Sequence, residues 1–410
     1  MGRGIYRMSN AMIHRALFFM ADYMRADKSL KKLRFLKKSQ YWDECVLKIW
    51  QLEKINILLI HAKAHSPFYK KRLSKIKLPI NDIKSLQDIP ILTKKDIREN
   101  IEDIKCRNID RKRFVLSNTG GSTGEPMRYY CDRISLGWKR AAVLRSMEWA
   151  GLKLGEKNVQ MTGSHYEYTK RRKAVNRFKL WLLNGKDLSV AYVNDSMLED
   201  YYKKIIEWQP ASIWGYASAV YQLAEFIKKN HAGADFGFIE AIITSSETLQ
   251  SGQRETINGV FGDRKVYDHY GASEFYAAAE CRCQKGYHVN EDVLKLEIVD
   301  NEGVQAGPDE TGRVILTDLY NCAFPFIRYE IGDVGILSKE DTCECGVRLP
   351  RLKRLEGRVA DMIVLKDRVL TPPNFTNIFR PLKGIEQYQI VQKKMECIQV
   401  NIIRNHMFNE

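Results

Sequence analysis

At 410 residues the chain is long enough for two or three domains. Its 44% hydrophobic and 28% charged residues describe a protein that can bury a core without disulfides. No run of about 18 uncharged apolar residues is present, which excludes a transmembrane helix, and nine cysteines in such a chain argue against a disulfide framework.

The N-terminal stretch MGRGIYRMSNAMIHRALFFMADYM is interrupted by His14, Arg15 and Asp22 and lacks a signal-cleavage pattern. It reads as a buried N-terminal helix of a cytoplasmic protein. The net charge of +16 falls almost entirely in the first 120 residues, in runs such as Lys31–Lys32–Arg34–Lys37–Lys38 and Lys70–Lys71–Arg72–Lys75–Lys77. Such runs suit a solvated helical face, or contact with an anionic membrane surface or an acidic partner. No nucleic-acid-binding module accompanies them, so no nucleic-acid partner is expected.

Residues 1–115 read as a basic helical part of a larger domain. Over Tyr41–Ala64, Cys45, Ile49, Leu52, Ile55 and Leu59 fall at helical spacing. Beyond residue 115 short strands alternate with amphipathic helices. Strands are expected at Ser189–Val193, Ser212–Trp214, Ala241–Ser245 and Lys265–Tyr267, and helices at Leu198–Trp208, Ala219–Asn230 and Ser251–Phe261. Period-two segments at 293–300 and 313–319, joined by a turn-rich linker, read as an antiparallel pair in a small β-subdomain. The fold class is α/β, with layered sheets and flanking helices across 116–357. Residues 358–410 leave room for a strand pair and a helix, a short C-terminal domain.

Four motifs carry chemistry. In the first, an apolar strand from Phe114 runs into Ser117-Asn-Thr119-Gly120-Gly121-Ser122-Thr123-Gly124-Glu-Pro. Glycines let backbone N–H groups converge and hydroxyls add donors, as a polyphosphate requires. No Gly-Lys-Ser/Thr follows, so this is not a Walker loop. In the second, Tyr267-Asp-His-Tyr270-Gly271-Ala-Ser273-Glu274, an aromatic suited to stacking on a base precedes a carboxylate suited to Mg²⁺ beside phosphates. In the third, Asp333 follows a glycine turn and offers two acceptor oxygens for the hydroxyls of a ribose. The fourth, Leu355-Glu-Gly-Arg358-Val-Ala-Asp361, places two charges just before an apolar segment.

All four in this order resemble the adenylate-forming superfamily of acyl-CoA synthetases. They look most like its phenylacetate–CoA ligase branch, which includes capsular-polysaccharide-cluster proteins. The resemblance runs from about residue 45 to about residue 365 and implies a large domain of that superfamily. It implies ATP and Mg²⁺ as cofactors, a small carboxylic acid as substrate and coenzyme A as acceptor. Ser117 to Gly124 would cradle the phosphates, and Glu274, Thr119 and Arg358 would make the catalytic contacts. Tyr270, Gly271, Ser273, Ser246 and Glu247 would surround the adenine side of the nucleotide. Asp333 would hold the ribose, with Arg358 on ribose or phosphate. Asp361 would be the hinge of a mobile C-terminal domain, and Trp214 and Tyr216 would line the acid pocket.

A cysteine group stands apart. Cys281-Arg-Cys283 and His288 precede Cys343-Glu-Cys345, and thiolates with imidazole are the usual ligands of a structural Zn²⁺. The resembled branch often carries one. The expected set is Cys281, His288, Cys343 and Cys345, with Cys283 able to replace one of them.

The proposed reaction is attack of a carboxylate on the ATP α-phosphorus, then transfer of the acyl group. The chain departs from the family pattern after Asp361, where no glycine-lysine segment matches the usual C-terminal lysine. A truncated C-terminal domain is therefore expected. The competing reading is a non-catalytic or partner-completed nucleotide-binding protein of an envelope-polysaccharide pathway.

Overall fold

The computed structural model describes residues 2–24, 27–119, 127–162, 170–190, 194–340, 342–358, 363–364, 369–370, 384–394 and 397–404. The N-terminal part is helical: α1 (Gly2–Met24), α2 (Ser29–Ser39), α3 (Glu44–His65), α4 (Pro67–Arg72) and α5 (Lys94–Ile104). The inward stripe of α3 is Leu47, Gln51, Ile55, Leu58 and Ala62. Cys45 and Ile49, expected on that stripe, face solvent. Packing against the sheet sets the helix's rotation, and the spacing admits both faces because α3 is apolar on most sides. α5 begins with a capping box: Thr93 Oγ1 accepts from Asp96 N–H, and Asp96 Oδ2 accepts from Thr93 N–H.

A hairpin of β1 (Phe114–Asn118) and β2 (Arg128–Asp132) follows. The rest of the domain is built on β3 (Asn158–Met161), β4 (Gly185–Asp187), β5 (Ser212–Tyr216), β6 (Ala241–Ser245) and β7 (Val266–Gly271). It continues through β8 (Tyr276–Glu280), β9 (Tyr287–Val289), β10 (Leu294–Val299), β11 (Thr311–Asp318), β12 (Tyr329–Leu337) and β13 (Arg351–Arg358). These form one sheet in the order β10-β11-β12-β13-β9-β8-β7-β6-β5-β3-β4. The half from β4 to β7 is parallel and the half from β7 to β10 antiparallel. The strands expected in a small β-subdomain are thus the antiparallel continuation of the main sheet.

α6 (Arg133–Trp149), α7 (Lys170–Leu182), α8 (Asp195–Trp208), α9 (Ala217–Asn230) and α10 (Ser251–Phe261) complete the helices. The parallel strands pack with α8, α9 and α10 in one apolar cluster, and the antiparallel half packs with α3, α4 and α5 in another. The strand expected at Ser189–Val193 lies earlier, at β4. Residues 188–190 have no regular structure, and 191–193 lie outside the described residues. Gly185 permits the close edge: a Cβ there would sit 3.0 Å from Asn158 Oδ1. The Nδ2 of Asn158 in turn holds the Leu183 carbonyl at 2.7 Å.

One buried ion pair fastens the helical layer to the sheet. Arg145 of α6 donates Nη1 and Nη2 to the two oxygens of Asp292 at 2.6 and 2.8 Å, to Asn290 Oδ1 at 2.7 Å and to the Leu36 carbonyl of α2 at 2.9 Å. Both charges are fully buried, so their partners offset a desolvation cost of several kcal/mol per ion.

α1 differs from the expected buried helix. His14, Phe18 and Asp22 turn inward, while Met12, Ile13, Met20 and Tyr23 face solvent. The apolar content of this helix covers most of its circumference, but only one stripe finds a partner. Beyond Arg358 the described residues form two hairpins, β14 (Ile363–Val364) with β15 (Val369–Leu370) and β16 (Ile385–Lys394) with β17 (Cys397–Arg404). Asp361, expected as a hinge, lies outside the described residues. No helix among the described residues is long and apolar enough to cross a membrane.

Candidate active site

A cleft of about 810 Å³ opens at the carboxyl ends of β5, β6 and β7. That is where open α/β sheets place their ligands, because the strands stop and their loops diverge. A second lobe of about 400 Å³ is lined by Tyr270, Asp333, Gly357 and Arg358. The two lobes share Ser246, Glu247, His269, Gly271, Asp333 and Arg358.

The β1–β2 hairpin delivers the hydroxyl-rich loop. Thr119 N–H donates to the Met127 carbonyl and Met127 N–H to Thr119 Oγ1, both at 2.9 Å, so the loop is pinched at its neck. Thr119 lines the cleft. Ser117 lies two residues earlier on β1, opposite Tyr129. Gly120, Gly121, Ser122, Thr123 and Gly124 lie outside the described residues.

β7 ends at Tyr270–Gly271, where the chain reverses: Ala272 N–H donates to the Phe275 carbonyl at 2.8 Å. A Cβ on Gly271 would sit 3.0 Å from that same carbonyl oxygen, so the turn is tight against its own backbone. The turn presents Ser273 and Glu274 to the cleft. Glu274 is buried, and the Tyr329 hydroxyl donates to its Oε1 at 3.0 Å. This leaves a fixed carboxylate lining the same cleft as Thr119, a donor set suited to one Mg²⁺ shared with phosphate oxygens.

Asp333 on β12 stands opposite Arg358 on β13. Its Oδ2 accepts from the Tyr270 hydroxyl at 2.8 Å, and Arg358 Nε lies 3.5 Å from its Oδ1. Burial, then the Asp333 charge, pushes the Tyr270 phenol well above its ordinary range, so it stays a donor. At the end of β6, Ser246 takes a left-handed φ of 70°, and Glu247 Oε2 accepts from Ser218 N–H at the start of α9, at 2.9 Å. The carboxylate thereby satisfies an otherwise orphan helix donor.

Trp214 and Tyr216, expected to line an acid pocket, both lie on the wall of the cleft, and the Trp214 indole donates to Ser245 Oγ at 3.0 Å. Two further side chains, His269 and Tyr276, complete this wall. The Tyr276 hydroxyl meets His269 Nδ1 at 2.6 Å, Trp214 packs edge-on against the imidazole, and His269 Nε2 is buried with no hydrogen-bond partner among the described residues. Burial lowers the His269 pKa to about 3, so the ring is neutral. Lys94, Arg98, Lys139 and Arg140 also reach the cleft. Sequence reasoning passed over all six. His269 lay inside a quoted motif, and Lys94 and Arg98 are one helical turn apart within the basic region.

The cysteine group forms on two loops, after β8 and before β13. The thiols of Cys281, Cys283, Cys343 and Cys345 all lie within 4.8 Å of one another, with Cys281 and Cys343 at 3.7 Å. A tetrahedral zinc with Zn–S of about 2.3 Å requires S···S of about 3.8 Å, so the donor set fits that ion. The expected ligand His288 sits just outside this quartet: its Nε2 is 3.3 Å from Cys345 Sγ, and its Nδ1 is 3.4 Å from the Leu349 carbonyl.

The fold is that of the adenylate-forming acyl-CoA ligases. The 2-hydroxyisobutyryl-CoA ligase, solved in its postadenylation state in complex with R3-HIB-AMP, matches with a TM-score of 0.74 at 18% identity, covering 90% of this chain and 81% of that one. In sequence the chain is similar to Protein CapK of Staphylococcus aureus, 27% identical over 350 residues, which span 84% of this chain and 75% of CapK. It is also similar to the phenylacetate-coenzyme A ligase of Thermus thermophilus, 24% identical over 361 residues, which span 85% of this chain and 78% of that enzyme. No family model matches the chain.

The neutral His269 yields a pH signature. Unfolded, it takes a proton near pH 6.5, whereas folded it takes one only near pH 3. Its contribution to stability is full above the unfolded pKa and is lost as pH falls toward the folded one. Urea unfolding of wild type and His269→Gln should show wild type losing ground to the variant from about pH 7 to about pH 4. A pH-independent difference would contradict the buried, neutral ring.

Proposed function

We propose that the chain uses ATP to activate a small carboxylic acid as its acyl-adenylate and then passes the acyl group to coenzyme A. The observation that carries this reading is the convergence on one cleft of Thr119, Glu274, Asp333, Tyr270 and Arg358. The similarity to phenylacetate–CoA ligases supports the same assignment.

In this reading Asp333 accepts the ribose hydroxyls, held in place by Tyr270 and Arg358. The adenine lies along Tyr270, Gly271 and the Ser246–Glu247 turn. The hairpin loop from Ser117 to Gly124 wraps the phosphates. Mg²⁺, when bound at Glu274, offsets charge on the phosphate oxygens. The substrate carboxylate attacks the α-phosphorus, the bond from that phosphorus to the bridging oxygen breaks, and pyrophosphate leaves with the electron pair. Lys94, Arg98 and Lys139 add positive potential where that charge leaves. The thiol of coenzyme A then attacks the acyl carbonyl, loses its proton to solvent and expels AMP. The acid lies against Trp214, Tyr216, His269 and Tyr276, an aromatic wall that suits an aryl acid.

The thiol quartet holds one structural zinc in the same reading, closing the loop after β8 onto the loop before β13. One loop follows β8, which pairs with the strand that carries Tyr270, and the other precedes β13, which carries Arg358, so the ion would fix the spacing of the second lobe.

Two measurements check this. Pyrophosphate release should depend on an added carboxylic acid and fall on the order of 100-fold in Glu274→Ala; no release across a broad panel of acids, with or without coenzyme A, would oppose the assignment. Metal analysis of chelator-washed protein should find about one zinc per chain, reduced in Cys343→Ser; metal-free protein of unchanged thermal stability would remove the zinc.

A further inference from the structure

The floor of the second lobe carries a charge imbalance that the proposed reaction does not use. Four side chains stand in one row across the sheet where it changes direction. Register sets Thr244 on β6 beside Asp268 on β7, and Glu280 on β8 opposite Tyr287 on β9. The β7–β8 register pairs His269 with Ala279, which places Asp268 directly opposite Glu280. Both carboxyl groups are buried. Like charges opposed in this way repel, the more so away from water.

One cation serves the two acids. Arg254 of α10 donates Nη2 to both oxygens of Glu280, at 2.9 and 2.8 Å. Asp268 meets hydroxyls instead: Thr244 Oγ1 lies 2.6 Å from its Oδ1, and the Tyr287 hydroxyl donates to its Oδ2 at 2.8 Å. The charged and titratable groups that face Asp268 are thus Glu280 from β8, Arg254 from α10 and Tyr287 from β9. Burial, then the Glu280 charge, raises the Asp268 carboxyl to about 7. Protonated, it can donate to Thr244 Oγ1 and still accept from Tyr287, which leaves the row with one negative charge matched by Arg254.

We infer that Asp268 is a proton-operated latch beneath the second lobe. Neutral, it lets β7 and β8 close and keeps Tyr270 against Asp333. Ionised, it opposes Glu280 across the β7–β8 pair and adds negative charge where an anionic nucleotide would sit. Asp268 and Tyr270 share one face of β7, and both line that lobe with Tyr287. The two effects have the same sign: nucleotide affinity falls as the carboxyl ionises. The latch rests on the ATP reading of the cleft.

Asp268→Asn keeps the hydrogen-bonding shape and cannot ionise, so it is the comparison for two measurements on the full chain. A carboxyl whose folded pKa lies above its unfolded value adds stability that is present below the unfolded pKa and lost as pH rises to the folded one. In urea unfolding, wild type should therefore lose ground to Asp268→Asn from about pH 4 to about pH 7 and run parallel to it above. In calorimetric titration with ATP and Mg²⁺, wild-type affinity relative to the variant should fall by up to about tenfold between about pH 6 and about pH 8. Titration of the ATP phosphates cancels in that ratio. A stability difference that does not change with pH would overturn the titration of Asp268. The expected stability profile with a flat affinity ratio would overturn the latch alone. Absence of ATP binding to both proteins across the pH range would overturn the ATP reading, and the latch with it.

Discussion

The carboxylate of Asp333 is the point at which distant parts of the chain agree. One oxygen accepts the Tyr270 hydroxyl from the end of the parallel half-sheet, and the other faces Arg358 from the last strand of the antiparallel half. The contact exists only because a single sheet changes direction at β7 and β8. Were the antiparallel strands a separate unit, this spacing would drift with their motion. A site that distinguishes a ribose needs its acceptor held to within a fraction of an ångström. The shared sheet supplies that rigidity, and the buried Arg145–Asp292 pair ties α6 to the loop before β10 of the same sheet.

Much of this was legible in the sequence, for identifiable reasons. β5, β6, β7 and α8 to α10 were visible because each buries one face and is bounded by turn residues. The motif residues at 270–274, 333 and 358 were visible because their chemistry needs carboxylates and glycines at fixed places. What escaped depended on packing. The rotation of α3 and the outward face of α1 were ambiguous because both helices are apolar on most sides. The edge strand β4 was displaced because Gly185 and Asn158 decide where the edge closes. His269 was overlooked because a histidine in a strand is most often a satisfied core residue, and only the structure shows its Nε2 without a partner among the described residues.

The cleft combines two electrostatic regimes. Around His269, Tyr276 and Asp268 burial dominates: it holds the imidazole neutral and raises the Asp268 carboxyl to about 7, with Glu280 adding to the effect. Lys94, Arg98 and Lys139 bring positive charge to the cleft that Thr119 and Glu274 also line. A neutral imidazole and aromatic rings lining the same cleft as a group of cations suit a reaction that joins an organic acid to a polyphosphate.

The central claim is that this cleft binds ATP with its ribose on Asp333. Calorimetric titration with ATP and Mg²⁺ tests it most directly. The account predicts saturable binding at one site per chain, weakened at least about tenfold in Asp333→Ala, since the ribose would lose its acceptor and Tyr270 its partner. Binding of equal strength in wild type and Asp333→Ala, or no binding to a correctly folded protein, would contradict it.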